Sequence, residues 1–202
     1  MSLSLSWSEL CRWEEDPKEW ERQYVLGLKD PPSVYMKRGT DIHSILFTGN
    51  RDCERDVYRP DEIRVHDKII TEFNKMVGEG WEHEQYLEAS LGGIPIKGYL
   101  DGKRPPQLLE VKSGARLWDK VRAETHGQLH FYDLLLNLNG IPIEENLLFS
   151  CSTVNGKCVL YRSKAHMEDA VEIQKRIKRA YEWMCRQGLW DCRLSSKQQT
   201  VV

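Results

Sequence analysis

Residues 98–112, GYLDGKRPPQLLEVK, force the chain to double back on itself. Proline cannot donate to a sheet ladder, and glycine beside it favours a turn. Gly102, Pro105 and Pro106 therefore separate two extended flanks. Ile94–Asp101 and Gln107–Lys112 read as the strands, joined by the turn GKRPP. The turn brings Asp101 back toward Glu110. Side chains two apart on a strand share a face, so Glu110 and Lys112 point the same way and Val111 points into the core.

The neighbouring pattern extends this hairpin into a sheet. Residues 82–91 alternate and end at Gly92-Gly93, a hairpin signal. Residues 146–152 and 157–162 read as a further strand pair around Asn155-Gly156. Helical spacing dominates elsewhere. Residues 6–14 carry Trp7, Leu10, Cys11 and Trp13. Asp16-Pro17 is a cap followed by a proline at the first helical position, with Trp20, Tyr24 and Val25 beyond it. A loop is expected over 28–38, a short helix from Gly39 to about Phe47, and a longer one from Asp61 to Val77. The spacing predicts one helix over 118–138 and another over about 165–187. The expected fold class is α/β: a central mixed β-sheet flanked by helices, preceded by a helical N-terminal region.

The chain of 202 residues is long enough for one domain, here expected to span 1–194. Within it, 1–80 is the helical part and 81–194 the sheet core with its closing helix. Residues 195–202 are expected to be a disordered tail. No apolar run reaches the ~18–20 residues of a membrane span, and the opening MSLSLSWSEL has no basic, apolar leader pattern. Six cysteines form no C-x-x-C pair, which fits reduced thiols in a cytoplasmic protein. The net charge of −2 lacks a whole-protein basic footprint. Contact with phosphates would then depend on local basic residues and bound cations.

The hairpin offers such a place. Asp101, Glu110 and the carbonyl of Val111 make an all-oxygen donor set suited to Mg²⁺ or Mn²⁺. A cation there would neutralise a scissile phosphate and activate a water, with Lys112 orienting that water or stabilising developing charge. His43, in GTDIH, is a candidate nitrogen ligand. Gln128 and Tyr132, four apart in HGQLHFY, share a helical face and could contact a phosphate or a base. Lys103 in the turn and Arg116 after the strand are candidates for phosphate contacts. Each feature also has an ordinary reading: turn chemistry at Asp101-Gly102, a solvated charged strand, an amphipathic helix.

Taken in order, the residues resemble the PD-(D/E)XK nuclease superfamily, and within it the RecB-like branch that includes the CRISPR adaptation nucleases. Gly39 and His43 match that branch's Gly-x-x-x-His, and Gly98 and Asp101 its Gly-x-x-Asp. Glu110 and Lys112 match its acidic-x-Lys, and Gln128 and Tyr132 its Gln-x-x-x-Tyr. The resemblance implies a restriction-endonuclease-like core. It also implies a Mg²⁺- or Mn²⁺-dependent deoxyribonuclease acting on DNA ends or single strands in recombination, repair or phage DNA metabolism. His43, Asp101 and Glu110 would be ligands and Lys112 catalytic.

The sequence departs from many members of that branch in its cysteines. Asp16 precedes Pro17 where those members carry a cysteine, and the C-terminal stretch offers only Cys185 and Cys192. No iron–sulfur cluster is expected. No helicase segment is visible, so unwinding would fall to a partner, a helicase or recombination protein. The alternative is a catalytically silent nucleic-acid-binding or scaffolding module of the same fold.

Overall fold

The computed structural model describes residues 4–53, 57–165 and 167–190. The tail expected at 195–202 and Cys192 lie outside the described residues. Helix α1, Trp7–Glu15, opens on a reciprocal cap. Ser6 Oγ accepts from Glu9 N–H at 3.3 Å and the Glu9 carboxylate accepts from Ser6 N–H at 3.2 Å. Asp16 then caps α2, Pro17–Trp20, by accepting from the amides of Lys18 and Glu19, and a π-helical turn, Glu21–Val25, follows. Helix α3, Val34–Thr48, begins five residues before the expected Gly39. Ser33, placed after Pro31-Pro32, is its N-cap and accepts from Met36 N–H at 3.2 Å. Helix α4 spans Pro60–Met76.

The sheet has five strands in the order β1-β2-β3-β4-β5. Strands β1, Glu82–Leu91, and β2, Ile94–Arg104, form a long antiparallel hairpin. Gly92 and Gly93 turn it with φ of 57° and 90°, values that suit glycine. Strand β3, Gln107–Gly114, pairs antiparallel with β2 over three positions only, from Arg104↔Gln107 to Gly102↔Leu109. The expected five-residue turn therefore narrows to Pro105-Pro106, and Asp101 lies within β2 rather than at its end.

Strands β3 and β4, Glu145–Ser152, are parallel, and β5, Cys158–Lys164, closes the sheet antiparallel to β4. Parallel strands require a crossover. The expected helix over 118–138 breaks into α5, Lys120–Glu124, and α6, Gly127–Leu138. His126 between them is extended, at φ −72° and ψ 101°. The junction is pressed against α1: a Cβ on Gly127 would collide with Trp7 Cη2. Helix α7, Met167–Arg186, follows β5.

Helices cover both sheet faces. Leu100, Leu108 and Leu148 pack with α1, α6 and α7 on one face. Leu109, Val111, Leu147 and Phe149 pack with α3 and α4 on the other. Adjacent residues of β3 thus enter opposite cores, as the two-residue period demands. This burial leaves β3 no freedom to slip, because a one-residue shift would drive Glu110 into the core that Val111 leaves. No described helix is long and apolar enough to cross a membrane.

Candidate active site

The site arises where β2 and β3 part. Their ladder ends at Gly102↔Leu109, so Val111 has no strand partner on that side. Its backbone groups are satisfied by side chains instead. Val111 N–H donates to Asp101 Oδ2 at 2.8 Å, and Val111 O lies 3.1 Å from His43 Nε2. Nδ1 of the same ring is 3.5 Å from Asp101 Oδ1. Helix α3 supplies His43 because Ile42 and Ile45 beside it anchor the helix in the core. The split in the sheet thereby draws His43, Asp101 and Val111 together.

Glu110 points to the other face of β3 and is 1% exposed. Lys112 Nζ sits 2.5 Å from its Oε1, while its buried Oε2 has no partner. Burial pushes both Asp101 and Glu110 well above the ordinary carboxylate range; the Asp101 charge raises Glu110 further, while the Lys112 ammonium opposes the shift in both. Burial also lowers His43, favouring the neutral imidazole that can act as a ligand. Among the described residues no three His, Cys, Asp or Glu side chains converge as a ready ligand cluster. The available donors are the two carboxylates, the Val111 carbonyl and His43. They fit a hard divalent cation, because the orphaned Glu110 Oε2 and the crowded carboxylates are what such a charge would relieve.

Lys112 is held from a second side. Its Nζ donates to Gln128 Oε1 at 2.8 Å, and Gln128 Nε2 donates to the Tyr132 hydroxyl at 3.0 Å. Gln128 and Tyr132 are thus one turn of α6 aimed at the lysine. Tyr132 packs on Gly98, where a Cβ would stand 2.7 Å from its Cε1. Gly98 therefore permits the close approach of β2 and α6.

The two remaining candidates lie on β2 and in the loop after β3. Lys103 Nζ pairs with Glu82 at 3.1 Å and its side chain is only 12% exposed. Arg116 is exposed in the loop after β3.

Three residues at the site carry no motif in the sequence. His126 Nε2 lies 3.2 Å from Gln128 Oε1, and burial pushes the ring down to about 3. Trp118 walls the lysine, with Nζ 5.8 Å from its ring centre and the Arg122 guanidinium stacked on it at 4.0 Å. Glu84 adopts φ 50° on β1, a left-handed conformation uncommon for a non-glycine residue. Its charge acts on both Asp101 and His43. The spacing of HGQ could have flagged His126; nothing local flags Trp118 or Glu84.

No protein-family profile and no curated relative matches the chain. Solved structures share its fold. A proposed exonuclease from Eubacterium rectale aligns over 95% of this chain and 82% of its own, with a TM-score of 0.68 and 13% identity. The alkaline exonuclease LHK-Exo from Laribacter hongkongensis aligns over 96% and 94%, with a TM-score of 0.55 and 11% identity. LHK-Exo is also known in complex with dAMP, at a TM-score of 0.54. At these identities the likeness is one of fold.

Proposed function

We propose that the chain is a Mg²⁺- or Mn²⁺-dependent deoxyribonuclease that hydrolyses phosphodiesters at DNA ends or in single strands. The observation that carries this reading is the convergence of Asp101, Glu110 and Lys112 at the split between β2 and β3. The fold held in common with proteins named as exonucleases supports it.

Asp101, Glu110, Val111 O and His43 would hold the cation. When bound, it supplies charge neutralisation at the phosphate and a more acidic water. The protein's own groups do the rest. Lys112, fixed between Glu110 and Gln128, presents one ammonium at a set position and can orient the attacking water or hold charge on the phosphate oxygens. Asp101 is anchored by Val111 N–H, so its second oxygen keeps a constant aim. Neutral His43 braces the Val111 carbonyl.

Incubation with 5′- and 3′-labelled single- and double-stranded DNA, in Mg²⁺, Mn²⁺ or EDTA, tests the proposal. The expected result is shortening of labelled strands that EDTA stops and Lys112→Ala abolishes. Intact DNA in every condition would overturn the nuclease reading. Full activity in Lys112→Ala would overturn the role of that lysine.

A further inference from the structure

Beside the Gln128–Tyr132 turn lies an open cavity of about 430 Å³ that the reading above leaves unused. Its size is typical of small-ligand sites, ~300–1,000 Å³. Tyr24, Lys29, Lys97 and Tyr99 line it, and Gln128 and Tyr132 form its inner wall. The geometry points to this cavity as the seat of an unpaired nucleotide of a DNA strand whose neighbouring phosphate reaches Lys112. Tyr99 stacks on the base, and Lys29 and Lys97 meet the flanking phosphates. This inference rests on the nuclease reading and names the form of its substrate.

Position is the first argument. Lys97, Tyr99 and Asp101 alternate along β2 and so share one face, opposite the face on which Gly98 meets Tyr132, about 6.5–7 Å apart in steps of two residues; the cavity is lined by residues of both faces. A strand following β2 toward Asp101 passes Lys97 and then Tyr99. The same cavity reaches Gln128, whose Oε1 accepts from Lys112. The cavity and the catalytic lysine thus share a wall.

Chemistry is the second. Tyr99 is 64% exposed, an unusual waste of an aromatic ring in a strand centre, and Tyr86 opposite it is 45% exposed. Their ring centres are 4.9 Å apart. Exposed paired rings form a platform on which bases stack regardless of sequence. Neither Lys29 nor Lys97 has an ion-pair partner among the described residues; Lys29 rests over the Tyr24 ring at 4.8 Å. Nearby acids are engaged: Glu9 caps α1, and Glu88, opposite Lys97, is bonded by Ser4 and Tyr86.

Selectivity for an unpaired strand follows from the charges beside this path. Glu82, Glu84 and Glu88 alternate on the exposed face of β1, next to β2. This row flanks the path along Lys97 and Tyr99, so a duplex, with twice the phosphates, meets more of its repulsion than a single strand does. Electrostatics therefore favours an unpaired strand.

Fluorescence anisotropy with labelled oligonucleotides tests the inference, in full-length Lys112→Ala protein so that no strand is cut. The probes are a 20-mer of thymidylate, the same length with abasic sites, and a 20-base-pair duplex. The thymidylate strand should bind best. Tyr99→Ala should weaken it about tenfold, Tyr99→Phe should restore it, and the abasic strand should be indifferent to both. Lys97→Ala should lower the slope of log affinity against log salt by about 0.7, the single-strand value per phosphate contact. Unchanged melting temperatures establish that the surface variants fold. Binding unaffected by Tyr99→Ala and Lys97→Ala, or equal for duplex and single strand, would overturn the inference. The two readings fail separately. DNA cleavage with indifferent binding removes the cavity's role alone. Cavity-dependent binding without cleavage by the parent removes the nuclease reading. Absence of binding to all three probes removes the cavity's role as well.

Discussion

Gln128 Oε1 accepts from Lys112 Nζ at 2.8 Å while its own amide nitrogen donates to Tyr132. The lysine's charge settles which way the amide faces, since the reversed amide would set two positive donors against each other. His126, also in contact with that oxygen at 3.2 Å, must then carry its proton on Nε2. A neutral imidazole thus helps to fix the amide that fixes the lysine.

His126→Ala is expected to lower kcat for DNA cleavage about tenfold and leave KM unchanged, because His126 positions Lys112 without touching the cavity. His126→Gln places a donor near the former Nε2 and should recover most of the loss. Steady-state kinetics on a labelled single strand checks both. A change in KM alone, or no recovery by glutamine, would assign His126 to packing against Trp118 instead.

Divalent cation should stabilise the fold. Binding confined to the native state adds about 2.7 kcal/mol at 100 times Kd. Thermal unfolding of the parent is therefore expected to shift upward with Mn²⁺ or Mg²⁺ and return with EDTA. Glu110→Gln and Asp101→Asn should each remove most of the shift. An equal shift in both variants would place the cation elsewhere.

Local pattern made the β1–β2 hairpin, the strand pair around Gly156 and the terminal helix legible, because alternation and turn glycines act over a few residues. The start of α3 was not read, although Pro31-Pro32-Ser33 carries a cap signal, because the weak apolar pattern of 34–38 hid it under an expected loop; Val34, Tyr35 and Met36 remain exposed. The break in 118–138 could not be read locally. It follows from Trp7, more than a hundred residues away, closing on Gly127. The site divides in the same way. Asp101, Glu110 and Lys112 stand in one hairpin and announce themselves by spacing. Trp118 and Glu84 join them only through the tertiary path of a loop and a neighbouring strand. Lys103 looked free in the turn, but the longer β2 turns it into a strand residue paired with Glu82.

Gly98→Ala should couple stability to the site. The added Cβ would meet Tyr132 Cε1 at 2.7 Å and Leu135 Cδ2 at 3.1 Å, and both rest on a buried helix. Overpacking of this kind costs about 1–3 kcal/mol. Urea unfolding should show a lower midpoint with an unchanged slope. Tyr132→Leu removes the nearest ring atoms, so Gly98→Ala should cost less in that background. Equal cost in both backgrounds would show that the strand, not the tyrosine, bears the strain.

Asp133 on α6 should impose a pH dependence distinct from that of the site. Burial raises its carboxyl from the ordinary 3.8 to about 6. The Asn146 side-chain amide donates to Oδ2 at 2.5 Å and opposes the shift, while the charge of Asp169 adds to it. Oδ1 is buried without a partner, so ionising the group is unfavourable in the folded chain. Between these two pKa values the folded state keeps a proton that the unfolded state has lost. Stability contributed by Asp133 is therefore complete below about 3.8 and is lost as pH rises through about 6. Asp133→Asn presents a neutral side chain at every pH. The difference in unfolding free energy, parent minus variant, should decline from pH 4 to about 6.5 and then stay level. Taking the difference cancels the carboxylates and imidazoles common to both proteins. A flat difference across that window would mean that the Asp133 carboxyl ionises as freely in the folded chain as in the unfolded one.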